Sequence, residues 1–334
     1  MSRRDDDEHA RFERPRRRTR PRTKERPDYS SLPLGRVVTV DRGRYTVQVE
    51  EGQAGDDPAE AGVTVTAAKA RSIRGVVVGD LVRLDGDVSA DEGTLARIAE
   101  VLPRTTVLRR TADDDDPIER IVVANADQLV VVTALADPPP RPALVDRCLV
   151  AAYDAGMDPL VILTKSDLAS PEEMIAALTP LDVPVLVIGP GADLTAVRAR
   201  LAGRTSVLLG HSGVGKSTLV NQLVPDAFRS TSHVNAVTGR GRHTSTSAIV
   251  LDLPGGGRIV DTPGFRSFGL AHVEVDDIVR AFTDLHALTR DCPRGCHHGG
   301  DDPECALDAA VAEGRLAPAR LASFRRILES REQV

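Results

Sequence analysis

Gly210-His211-Ser212-Gly213-Val214-Gly215-Lys216-Ser217-Thr218 fits the pattern G-x-x-x-x-G-K-[ST], and its reading decides the fold class. The apolar run 205–209 leads into it and the helical pattern 217–223 leads out, so a glycine loop lies between a strand and a helix N-terminus. Glycines let backbone N–H groups converge on phosphate oxygens, and the helix end adds positive potential. Lys216 would reach the β- and γ-phosphates, and Ser217 would offer its hydroxyl to Mg2+. Further along, Asp261-Thr262-Pro263-Gly264 closes another apolar run. It supplies a carboxylate on the Mg2+ side at Asp261 and an N–H for the γ-phosphate at Gly264.

Upstream of the glycine loop stands Thr164-Lys165-Ser166-Asp167, at the end of the apolar run 160–164. A carboxylate at Asp167 can accept hydrogen bonds from guanine N1–H and the 2-amino group, which adenine cannot supply. Its place at the carboxyl end of a strand puts it on the edge where the glycine loop also lies. A base-reading loop that precedes the phosphate loop implies a circularly permuted nucleotide-binding domain. Between the two phosphate-side motifs, Gly239-Arg240-Gly241-Arg242-His243-Thr244-Ser245-Thr246 is polar without apolar periodicity. It would bring a hydroxyl to Mg2+, with Thr244 the first choice among Thr244, Ser245 and Thr246. Phe265 cannot hold a water by hydrogen bonds, so His243 is the candidate for orienting the attacking water.

The chain has 334 residues, 41% hydrophobic but only 3% aromatic and with no Trp, so its cores are built from Val, Leu, Ile and Ala. That length exceeds one compact domain. The net charge of −6 conceals a basic stretch at 11–27, RFERPRRRTRPRTKERP, which cannot fold alone and would be drawn to polyanions. No stretch approaches the roughly 18 to 20 apolar residues of a membrane span, which points to a cytoplasmic protein. Cys148 sits in an apolar run, whereas Cys292, Cys296 and Cys305 crowd together with His297 and His298. In a reducing compartment such crowding argues for metal. Cys292, Cys296, His298 and Cys305 make a tetrahedral donor set suited to structural Zn2+, with no open position for catalysis.

Three patterns succeed one another along the chain. Short alternating β-segments at 35–40, 45–50, 63–67, 81–85 and 93–101 fit a small barrel of OB or SH3-like type. From residue 116, buried-strand runs at 128–133, 160–164, 185–188 and 205–209 alternate with helical stretches at 142–155, 171–178 and 194–202. That is an open α/β sheet with helices on both faces. Segments 248–253 and 258–261 read as an antiparallel hairpin in the same sheet, and 278–288 and 307–330 as helices flanking the cysteine cluster.

The order TKSD, GHSGVGKST, GRGRHTST, DTPGF, with a barrel before and a Cys/His cluster after, resembles the small ribosomal subunit assembly GTPases of the RsgA (YjeQ) family. Ala124-Asn125-Ala126-Asp127-Gln128 also looks like that family, and the resemblance runs from about residue 34 to 330. After the basic arm at 1–33, it implies an OB-fold domain over 34–108, a permuted GTPase domain over 109–270 and a helical zinc-binding domain over 271–334. It further implies a monomer that hydrolyses GTP to GDP on the 30S subunit and contacts 16S rRNA, with turnover stimulated by the subunit. Carried over by position, Thr164 to Asp167 and Gly210 to Thr218 bind GTP, Lys216 and His243 act in catalysis, and Ser217, Thr244 and Asp261 serve Mg2+. Three departures matter. Thr164 stands where the family has Asn, which should weaken the tie between base loop and phosphate loop; Ser245 stands where it has Thr. The cysteine spacing is shifted by one residue, which leaves His297 as an alternative to His298. Competing readings are a nucleotide-stabilised RNA-binding module without turnover, a permuted GTPase of the large subunit, and an ATPase with an accidental TKSD.

Overall fold

The computed structural model describes residues 28–50, 62–91, 93–111, 119–225, 248–263, 270 and 273–332. The chain forms two compact units, Met1–Ser31 and Leu32–Val334. In the first, only a short turn in which Asp28 accepts from the Ser30 N–H (2.9 Å) is described. The basic stretch 11–27 lies outside the described residues. All that follows concerns the second unit.

Strands β1 (Leu34–Asp41), β2 (Arg44–Val49), β3 (Thr64–Lys69), β4 (Leu81–Asp85) and β5 (Ala96–Val101) close a barrel. The order is β1-β2-β3-β5-β4 and back to β1, with β3 and β5 parallel. This five-stranded closure settles the choice for an OB-like barrel. Alternation makes it: Tyr45, Val47 and Val49 of β2 point inward with Val65, Val82, Leu84 and Ile98, while their neighbours face out. A buried Asp80 would be costly alone; Arg104 pairs with both its oxygens (2.6 and 2.8 Å) and the Val77 N–H adds a third bond. Gly79 is required where the barrel meets the next segment, since a Cβ there would lie 2.0 Å from the Ala124 carbonyl oxygen.

A two-stranded hairpin of β6 (Val107–Arg110) and β7 (Arg120–Ala124), not foreseen from the pattern, joins the barrel to the α/β layer. That layer holds β8 (Gln128–Ala134), β9 (Asp158–Thr164), β10 (Val185–Val187), β11 (Thr205–Leu209), β12 (Ile249–Asp252) and β13 (Arg258–Asp261). Across the sheet the order is β10-β9-β8-β11-β13-β12, all parallel except β12. β8 is buried on both faces, as its unbroken apolar run requires: Leu129 and Val131 enter one core, Val130 and Val132 the other. Helices α1 (Pro142–Asp154) and α2 (Glu172–Leu178) cover the first face. Helices α3 (Thr195–Leu201) and α4 (Lys216–Leu223) cover the second.

The remaining helices are α5 (Val275–Ala281), α6 (Thr283–Leu288), α7 (Ala306–Ala312) and α8 (Pro318–Glu332). Each of the two long helices expected here is therefore broken. Phe282 leaves helical geometry with ψ of 81° as its ring turns into the core, and Gly314 at φ +72° with Pro318 separates α7 from α8. These helices share the core beneath α1: Phe282 stacks edge-on to Tyr153 (4.8 Å) and Phe324 (5.3 Å). Burying a side chain such as Phe324, which has no exposed surface, contributes about 1.5 to 3 kcal/mol.

Candidate functional site

Strand β11, buried along its length, delivers the glycine loop to the carboxyl edge of the sheet. Gly210 packs so tightly on β8 that a Cβ would lie 2.5 Å from the Val132 carbonyl oxygen, and Gly213 and Gly215 have φ of +84° and +91°. These conformations suit glycine and let the chain turn sharply into α4. Ser217 and Thr218 are exposed at the start of α4. His211 Nδ1 lies 2.9 Å from the Ser212 carbonyl oxygen, within the loop itself.

β13 runs beside β11 with Asp261 opposite Leu208, which brings the second motif to the same edge. The Lys216 Nζ donates to Asp261 Oδ1 at 2.6 Å and to the Thr262 carbonyl oxygen. Thr262 in turn donates its hydroxyl to the Leu208 carbonyl oxygen (2.7 Å), fixing the end of β13 to the strand beneath the loop. Asp261 and Ser217 thus stand at one edge with Lys216 between strand and helix. Gly264, Phe265, His243, Thr244, Ser245 and Thr246 lie outside the described residues.

The base loop ends β9. Thr164 Oγ1 lies 2.6 Å from the Val214 carbonyl oxygen in the phosphate loop and 3.3 Å from that of Thr133. The two loops are tied through this hydroxyl, a short group that reaches an acceptor placed close to β9. Lys165 adopts φ +58° and its Nζ donates to the Asp137 carbonyl oxygen, while Ser166 and Asp167 face solvent. Gly189, after β10, approaches so closely that a Cβ would meet Ser166 Oγ at 2.8 Å. Pro138 lies on the other side, with its Cδ 3.6 Å from where a Gly213 Cβ would be. Asp137 and Gly189 were not among the expected site residues, and Thr262 was expected only as part of its motif; the signals for the first two were a Pro run after β8 and a Gly-Pro-Gly after β10.

Between α6 and α7 in the chain, Cys292, Cys296, His298 and Cys305 bring their ligand atoms within 4.8 Å of one another. His298 Nδ1 lies 3.6, 3.4 and 3.8 Å from the three sulfurs. A tetrahedron with metal–sulfur bonds of about 2.3 Å and a metal–nitrogen bond of about 2.0 Å predicts about 3.5 Å for those separations, so the donors fit Zn2+. His297 is not part of this group. Burial pushes the Cys296 thiol up to about 12 and the Cys292 thiol up as well, so thiolates here call for a cation. Burial also lowers the pKa of His298, which favours the neutral ring that binds metal. Arg325 holds the cluster from behind: its Nε donates to the His298 carbonyl oxygen (3.1 Å) and its fork grips Asp308 at 2.9 and 2.7 Å. Cys148, at 3% exposure in the core, has its thiol pushed up to about 12 by burial and plays no part.

Joining the ends of an ordinary P-loop sheet and reopening it before β8 gives this connectivity, so the protein belongs to the circularly permuted P-loop GTPases. Residues 101–271 match the family described as RsgA GTPase. A small ribosomal subunit biogenesis GTPase RsgA of Ectopseudomonas mendocina is 40% identical over 242 residues, covering 70% of this chain and 69% of the relative. RsgA proteins of Pseudomonas putida and Shewanella oneidensis are 36% and 37% identical, covering 89% and 86% of this chain and 85% and 83% of those. The chain belongs to the RsgA GTPase family. The fold is similar to that of YjeQ from Thermotoga maritima, at a TM-score of 0.62 and 24% identity over 90% of this chain and 99% of that one. It is likewise similar to YloQ, described as a circularly permuted GTPase, at 0.63 and 22% over 90% and 95%.

Proposed function

We propose that this protein is a GTP hydrolase that acts on the small ribosomal subunit during its assembly and turns over faster when bound to it. The nucleotide part rests on one observation above all: the 2.6 Å bond from Thr164 to Val214, which locks base loop and phosphate loop into a single site. Thr164, Lys165, Ser166 and Asp167 read guanine, and Gly210 to Thr218 with Gly264 cradle the phosphates. Ser217, Thr244 and Asp261 would hold Mg2+, which supplies positive charge beside the β- and γ-phosphates. Lys216 neutralises charge developing on the transferred phosphoryl group, and His243 positions the attacking water. Cys292, Cys296, His298 and Cys305 hold one structural Zn2+.

The ribosomal part is supported by the name the relatives carry and by charge on the barrel. Arg42 in the β1–β2 turn, Arg44 at the start of β2, Lys69 at the end of β3, and Arg71 and Arg74 just beyond are all exposed. Arg44 lies opposite Ala68, which gathers several of these cations at one end of the barrel. Such a face suits the phosphate backbone of 16S rRNA. In this reading the chain works as a cytoplasmic monomer divided into arm 1–33, barrel 34–108, GTPase 109–270 and metal domain 271–334.

The test is GTP turnover with purified 30S or 50S subunits. Stimulation by 30S alone is expected. Stimulation by 50S alone would assign the protein to the other subunit. Lys216→Ala should abolish turnover, and RNA binding and biological function that survive that loss would point to a nucleotide-stabilised scaffold.

A further inference from the structure

The barrel and the nucleotide-binding sheet share a strand. In β1, Val37 points into the barrel core while Val38 packs against the core of the α/β layer. A bulge between Val37 and Thr39 turns the strand so that Thr39 lies opposite Ile249 of β12. Toward the other end of the hairpin, Glu50 follows β2 and is held by two arginines. Arg36 of β1 donates at 2.8 Å and Arg258, the first residue of β13, at 3.1 Å. Arg258 also reaches Asp252 at the end of β12 (3.1 Å), and Gln48 of β2 donates to the same carboxylate (2.7 Å). Strand β1 thus meets the hairpin at Ile249, which faces Asp261, while Gln48 of β2 and Glu50 after it grip the turn end.

The opposite end of that hairpin is the nucleotide site, where β13 finishes at Asp261 against Lys216. Arg258 and Asp261 stand about 10 Å apart along one extended strand, short enough to move as a rod. Side-chain exposures of 12% for Arg36, 20% for Glu50 and 25% for Arg258 mean that salt screens these pairs less than ordinary surface pairs.

We propose that Glu50 is a positioning residue: through Arg258 it fixes the hairpin to the barrel, so that a load on the barrel is delivered at Asp261. The consequence falls on turnover and leaves GTP affinity alone, since neither Glu50 nor Arg258 touches the base or phosphate loop. This rests on the proposed function only in taking the barrel as the surface that bears on the small subunit.

The test uses full-length Glu50→Gln, Arg258→Gln and Arg258→Lys, with kcat and KM for GTP measured with and without small subunits. In the Gln variants, basal kcat and KM should stay within about twofold while stimulated kcat falls at least about tenfold, and Arg258→Lys should recover most of the loss. A second arm needs no ribosome: amide exchange in residues 34–49 with GDP against a slowly hydrolysed GTP analogue. Wild type should differ between the two nucleotides and Glu50→Gln should not. Full stimulation of both Gln variants overturns the proposal, as does a nucleotide-dependent exchange pattern that persists in Glu50→Gln. If wild type is not stimulated at all, the proposed function fails, and the exchange arm alone decides this inference.

Discussion

Thr164 has one hydroxyl hydrogen and two carbonyl oxygens nearby, and at 2.6 against 3.3 Å it goes to Val214. Thr164→Val would leave that carbonyl without its partner at a buried position, at a cost of about 1 to 3 kcal/mol. GTP affinity in a fluorescent-nucleotide titration should therefore fall about tenfold, while Thr164→Ser should bind as wild type does. Asp167 differs in being exposed, and the proposed base-reading role would have it meet the nucleotide rather than the protein. Asp167→Asn should lower the preference for GTP over ATP by at least about a hundredfold in competition, and equal binding of both by wild type would remove the base-reading role. The glycine loop and TKSD were readable because their chemistry is written in consecutive residues. Asp137 and Gly189 were not, nor was the role of Thr262 within its motif, because each matters through a contact that only the folded sheet creates: Lys165 for Asp137, Ser166 for Gly189 and Leu208 for Thr262.

Among the elements, α1 and α8 are coupled by a pair whose two ends differ in burial. Asp146 is 4% exposed in its side chain and Arg326 36%, with contacts of 2.8 and 3.2 Å. Burial pushes the Asp146 carboxyl above its ordinary value of 3.8, and Arg326 pulls it part of the way back. A carboxyl with a raised folded pKa favours the native state below about pH 4 and loses that contribution as pH climbs through the raised value. Arg326→Ala should lower unfolding free energy at neutral pH by about 3 kcal/mol and carry the pH-dependent loss further upward. Asp146→Asn should flatten that dependence, read from urea denaturation across a pH series. The strands of the α/β layer followed directly from their apolar runs. The hairpin β6–β7 did not, because the Asp run at 113–116 between its strands reads as a charged linker. The interruption at Phe282 was equally hidden, since a residue that leaves the helix to fill a core keeps the same apolar spacing.

At the scale of the whole molecule, the C-terminal helices add side chains to the same core as β8, β9 and α1, and the cysteine cluster lies between α6 and α7. Metal removal should therefore weaken the nucleotide-binding layer as well as the cluster. A chelator is expected to lower Tm by about 5 to 10 °C, and Zn2+ should restore it; an unchanged Tm would rule out a structural metal.

An open sheet has two edges, each a row of N–H and C=O groups able to recruit a strand from another chain. Among the described residues, one edge of the α/β layer is β10, only three residues long, and the other, β12, lies against β1 of the barrel. A barrel has no edge of its own to offer. The barrel thus also acts as a cover that helps keep the α/β layer from polymerising. A truncation beginning at residue 104 should then aggregate at concentrations where the full chain stays dispersed, as light scattering would record.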